Sequence, residues 1–141
     1  VSRVTSGSAL IGLLLHTFVD GVAVASGLLV SGAVGALVFI GVLLHKLPEG
    51  LAISSLFMAA GASPRAAVGA AGALGVATIL GVALTGQFGA LQTYGMAISA
   101  GVTIYVGASN LVPELQKRGG WETPLSFIAG CGAYFLARSA L

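Results

Sequence analysis

Two imidazoles and two carboxylates stand out in a chain that is otherwise apolar. His16 and Asp20 are four residues apart, and so are His45 and Glu49. On a helix, residues four apart share a face. Each pair therefore presents one imidazole and one carboxylate along a single stripe. Nitrogen and oxygen donors in that combination suit zinc, iron or manganese. A divalent cation would also neutralise two carboxylates that are costly to keep in an apolar medium. The plainer reading is a hydrogen-bonded His16–Asp20 pair, with Lys46 neutralising Glu49, and spacing alone leaves it open.

The elements that must position these residues follow from composition. Of 141 residues, 57% are hydrophobic and 7% charged, against about a quarter charged in soluble domains. So short a chain cannot bury that much apolar surface in water, so the solvent is lipid and the fold class all-α, a polytopic integral membrane helical bundle. A net charge of +2 without a basic cluster excludes nucleic acid as a partner. The 22 glycines let membrane helices approach closely. The first residue is Val1 rather than Met, so an N-terminal truncation is expected.

Five apolar stretches approach or exceed the roughly 20 residues that cross a bilayer, at 8–30, 33–60, 65–86, 91–114 and 124–140. No alternation long enough for a barrel is present. Together the stretches form a single transmembrane domain over 1–141. Ser31-Gly32 is the only break between the first two, which predicts a tight antiparallel hairpin with both His/carboxylate pairs at similar depth. Two His and two carboxylates can then converge. Ser63-Pro64 and Thr123-Pro124 read as N-cap plus first-turn proline. Trp121 beside Glu122 suits a headgroup-level anchor. Pro48 falls inside the second span, where it removes a helical hydrogen bond and frees the carbonyl of Leu44. A bent helix beside a polar site recurs in transport pathways.

If five helices alternate, Arg3, Arg65, Lys117 and Arg118 fall on one side and Arg138 near the other. The positive-inside rule places the chain's start and the 61–64 and 115–123 connections in the cytoplasm. Gly21/Ala25, Gly69/Ala73 and Gly95/Ser99 are candidate contact faces.

These residues resemble a family. His16-Thr17-Phe18-Val19-Asp20-Gly21 is similar to the fourth-helix motif of the ZIP (Zrt/Irt-like) metal transporters. His45-Lys46-Leu47-Pro48-Glu49-Gly50 is similar to their fifth-helix motif, and Asn110-Leu111-Val112-Pro113-Glu114 to the end of their seventh. The first two motifs at this separation are specific; the third is weaker. The resemblance covers the whole chain and implies that its five helices correspond to the fourth to eighth of an eight-helix transporter. It also implies transport of Zn2+ (or Fe2+, Mn2+, Cd2+) as substrate into the cytoplasm, a homodimer embedded in membrane lipid of the cell (plasma or inner) membrane, and no catalytic cofactor. By motif, the ligands would be His16, Asp20, His45 and Glu49.

The chain departs from the family at three positions. Thr17 stands where many members carry Asn, Lys46 where many carry an acidic residue, and Thr78-Ile79-Leu80-Gly81 where many carry Glu-Pro-Leu-Gly. Those positions build a second metal site in two-metal members. Here Lys46 would put a fixed ammonium where a second cation binds, acting as a substitute cation and leaving one metal per pathway.

Glu114, near the cytoplasmic face, and more weakly Asn110, are candidates for the exit path; the plainer reading pairs Glu114 with Lys117. Cys131 is expected to be a buried small apolar residue, and Met58 and Met96 to pack or face lipid. Two other classes stay open. An intramembrane metal-dependent hydrolase would need an open coordination position and a base, for which Glu49 could serve, but no HExxH signature is present. A non-catalytic membrane subunit would need only buried ion pairs.

Overall fold

The computed structural model describes residues 3–106, 108 and 120–140. The described residues form helices and no strand. The helices are α1 (Arg3–Val30), α2 (Gly32–Ala59), α3 (Pro64–Gln87), α4 (Gly89–Val106) and α5 (Glu122–Ala140). Of these, α1, α2 and α3 are long and apolar enough to cross a membrane. The 91–114 stretch is described as α4 only as far as Val106, and α5 carries Glu122 at its start and Arg138 in its last turn.

The local signals act much as the sequence suggests. Ser31 separates α1 from α2, and its hydroxyl accepts from the Val34 amide at 3.1 Å. Ser63 caps α3 in the same way, accepting from the Ala66 amide at 3.3 Å, with Pro64 at the helix start. The α2–α3 turn closes with the Gly61 amide on the Met58 carbonyl and the Ala62 amide on the Phe57 carbonyl, both at 3.0 Å. This is the Schellman arrangement, and it needs a residue of positive φ at its pivot; Gly61 supplies it at φ 77°. The expectation for Thr123 is corrected. Helix α5 begins at Glu122, so Thr123 lies inside the first turn rather than ahead of it.

Two compact units divide the chain, 1–99 and 100–141. In the first, α1 packs against both α2 and α3, which also touch each other. Helix α3 offers a stripe of mostly small buried residues, Ala67, Ala70, Leu74, Ala77, Gly81 and Thr85, at helical spacing. Small residues allow the backbones of α1 and α3 to meet. A Cβ on Gly21 would fall on the Thr78 carbonyl, and one on Gly81 would fall on the Phe18 carbonyl. This close approach fixes the height of Asp20, one residue before Gly21. Ser26 donates to the Leu91 carbonyl at 3.3 Å and Ser99 to the Val19 carbonyl at 3.2 Å, tying α4 to α1 at its first turn and again past its middle. Of the three small-residue pairs, Gly21 and Gly95 lie at close contacts, whereas Gly69 faces open space.

The outward faces of α2 and α3 carry Leu44, Leu47, Leu51 and Val76, all more than half exposed. Water would not tolerate an apolar surface this continuous, and lipid does. The second unit contains the end of α4 and α5, where Cys131 is exposed rather than buried as its type suggested.

Candidate metal centre

Asp20 is the hub of the site. It lies on the buried face of α1, and its side chain is only 8% exposed. One turn earlier on the same helix, His16 brings Nε2 to 3.8 Å from Asp20 Oδ1. From α2, His45 brings Nε2 to 3.1 Å from Asp20 Oδ2. The two imidazole centroids are 5.8 Å apart. One donor atom each from His16, Asp20 and His45 falls within a mutual 4.8 Å.

Glu49 stands apart from this trio. Its side chain is as buried as that of Asp20, but it reaches the cluster through Lys46. Lys46 Nζ donates to Glu49 Oε2 at 3.0 Å and, across the helix interface, to Asp20 Oδ2 at 2.8 Å. The plainer reading of Lys46 as a neutraliser of Glu49 is therefore half of the arrangement. The bond to Asp20 crosses between helices, and no spacing rule within one helix reveals it.

The hydrogen bonds of His45 carry chemical information. Its Nδ1 lies 2.9 Å from the Gly41 carbonyl, one turn back on α2. A carbonyl only accepts, so Nδ1 carries the proton in that bond. In the neutral ring, Nε2 then offers a lone pair, and it points at a carboxylate oxygen. In the imidazolium, Nε2–H donates to Asp20 Oδ2 at 3.1 Å; in the neutral ring, two acceptors face each other there, and a cation beside them satisfies both. A ring nitrogen held by a backbone carbonyl while the other faces outward is a frequent arrangement around metal-binding histidines. Among the described residues, two buried side-chain atoms have no hydrogen-bond partner: His16 Nδ1 and Glu49 Oε1.

A chain-wide comparison bears on this geometry. The family profile described as ZIP Zinc transporter matches residues 2–136. The chain belongs to the ZIP family. No match is found among the curated proteins or among the solved structures. The ZIP family transports divalent metal across membranes, which favours transport over the hydrolase and inert-subunit readings.

Within the ZIP framework, the departures noted in the sequence take physical form. Thr17 is fully buried, and its hydroxyl donates to the Leu14 carbonyl at 3.2 Å. Thr78 donates to the Leu74 carbonyl at 3.2 Å. Both hydroxyls are turned onto their own helices. Thr78 also lines a cleft of about 460 Å3 between α2 and α3, together with Lys46, Glu49 and apolar residues such as Val24, Leu43 and Leu74. Lys46 and Glu49 are the charged residues of that lining. Helix α2 continues through Pro48, on the turn between His45 and Gly50. Glu114, Asn110, Pro113, Lys117 and Arg118 lie outside the described residues.

Proposed function

We propose that this chain carries the transport site of a zinc transporter, with His16, Asp20 and His45 as ligands and Glu49 as the fourth through Oε1. The observation that carries the reading is the convergence of two imidazoles from two helices on one buried carboxylate. Zinc donors lie about 2.0–2.2 Å from the ion, which in a tetrahedron sets them roughly 3.5 Å from each other. The His45–Asp20 distance of 3.1 Å, to Oδ2, is already close to that; His16 approaches the other oxygen, Oδ1, at 3.8 Å, and with one atom taken from each residue the three donors lie within 4.8 Å of one another, so the site contracts around the ion. Glu49 must release or share Lys46 to join. Iron, manganese or cadmium could use the same donors, since selectivity follows geometry and availability. The set lacks thiolates, which favours a site that releases its ion.

The proposed direction is towards the cytoplasm, in the cell membrane and as a homodimer. The charge bias supports the orientation. Arg3 lines one cleft with Gly61, Ala62 and Ser63, so the start of α1 and the α2–α3 turn share an end of the bundle, and Arg65 follows that turn. Basic residues gathered at one end mark the cytoplasmic side.

Uptake of zinc by cells expressing the full-length protein tests the site. Asp20→Ala or His45→Ala is expected to abolish uptake while the protein still reaches the membrane. Wild-type uptake by both variants would reject the assignment.

A further inference from the structure

We propose that Lys46 is a tethered competitor of the transported ion: its ammonium holds Asp20 when the site is empty, and an arriving divalent cation displaces it towards Glu49. This rests on the transport-site reading above and adds the means by which the site lets its cargo go.

Three observations lead there. First, Lys46 Nζ bonds the same Asp20 oxygen, Oδ2, that His45 Nε2 faces. The oxygen best placed to bind a metal with His45 is already taken by a cation. Second, the ammonium bridges two carboxylates that are each more than nine-tenths buried, so it compensates charges that water cannot reach. Removing it without replacement would leave two anions in a medium of low dielectric, which is unfavourable. Third, the displaced group has somewhere to go. The lysine lines the apolar cleft between α2 and α3, which leaves room for its stem to swing, and its bond to Glu49 Oε2 survives a retreat from Asp20. Glu49 Oε1, unpartnered in the empty state, is then free for the ion.

The exchange has two consequences. A bound divalent cation sits a few ångströms from a fixed positive charge, so its affinity is lowered. When the ion leaves, the ammonium returns to Asp20, so the empty site is never bare. Lys46 thereby narrows the free-energy gap between loaded and empty states, which favours turnover over tight retention. The same charge keeps a second ion from the Glu49 side of the site.

Calorimetric titration of the purified full-length protein with zinc alone tests the proposal. Lys46→Gln is expected to bind one ion with a Kd lowered by about tenfold or more, since a repulsive neighbour has been removed. Its zinc-induced rise in Tm should exceed that of the wild type, because the empty variant lacks compensation for its carboxylates. Lys46→Arg keeps the charge and is expected to bind no more tightly than the wild type. A Lys46→Gln Kd equal to or weaker than the wild-type value would overturn the proposal. If the empty variant does not fold, it can be purified with zinc, and release to an excess of chelator followed; slower release than wild type is expected, and equal or faster release would overturn the idea. Asp20→Asn separates the two levels. Loss of zinc binding in Asp20→Asn with an unchanged Lys46→Gln defeats the competitor role alone. Undiminished binding in Asp20→Asn defeats the site itself.

Discussion

Lys46 Nζ and His45 Nε2 meet the same oxygen of Asp20, at 2.8 and 3.1 Å, although the lysine and histidine are consecutive on α2 and the aspartate is on α1. Consecutive helical residues point about 100° apart. Their convergence on one atom requires the aspartate to lie in the angle between them, and the lysine's long stem to reach across. The site is thus defined by how α1 and α2 are set against each other. Next to Asp20, α1 also crosses α3 closely, at Gly21 and Gly81.

The crossing leads to a stability prediction. Gly81→Ala would drive a methyl group into the Phe18 carbonyl, and backbone cannot give way as a side chain can. Overpacking of this kind costs about 1–3 kcal/mol. The full-length variant is expected to show a lowered Tm, whereas Gly69→Ala, with open space around it, should match the wild type. Equal Tm values for the two variants would argue that α1 and α3 do not cross at this point.

Ser99 offers a milder test of what holds α1 in place. Its hydroxyl donates to the Val19 carbonyl, next to Asp20 in sequence. Hydrogen bonds between membrane helices contribute about 0.6 kcal/mol on average. Ser99→Ala should therefore lower Tm slightly and weaken zinc binding less than twofold to threefold. A loss of binding as complete as that of Asp20→Asn would assign Ser99 a direct part in the site.

Topology can be read by single-cysteine labelling in a Cys131→Ser background. A cysteine at Ala62 is expected to react only with a reagent on the cytoplasmic side, and one at Ser31 only with a reagent outside. The reverse pattern would reject the proposed orientation and leave the metal site standing.

Much of this arrangement was legible in the sequence because lipid makes the code strict. An ionisable residue in an apolar stretch is conspicuous, so His16, Asp20, His45 and Glu49 stand out as candidates, the Ser31-Gly32 break marks the first helix boundary, and Ser63-Pro64 marks a helix start through its capping chemistry. What stayed hidden was relational. Nothing in the order of residues says that Asp20, and not Glu49, is where the imidazoles meet, because that depends on the rotation of α1 against α2. Spacing likewise could not show that Lys46 bridges two helices, since its stem can turn several ways. Gly21 and Gly69 look alike in sequence, and only packing distinguishes the contact from the open face. Thr123 is not the cap its Thr-Pro pattern suggests, because that pattern is equally compatible with a helix that begins one residue earlier, at Glu122.

Lys46→Glu reverses the charge at the bridge. Three carboxylates would then share the space that one ammonium and two carboxylates occupy now. Elemental analysis of the purified full-length variant is expected to find two zinc ions per chain where the wild type holds one. One ion in both proteins would mean that the lysine's charge does not set the number of ions.

The most direct measurement is X-ray absorption at the zinc edge on the zinc-loaded full-length protein. One ion per chain is expected, with only nitrogen and oxygen in its first coordination shell at about 2.0–2.2 Å. The outer-shell scattering should correspond to two imidazole rings, and to one in His45→Ala. A zinc environment without imidazole, or one unchanged by His45→Ala, would contradict the placement of the metal between His16, Asp20 and His45.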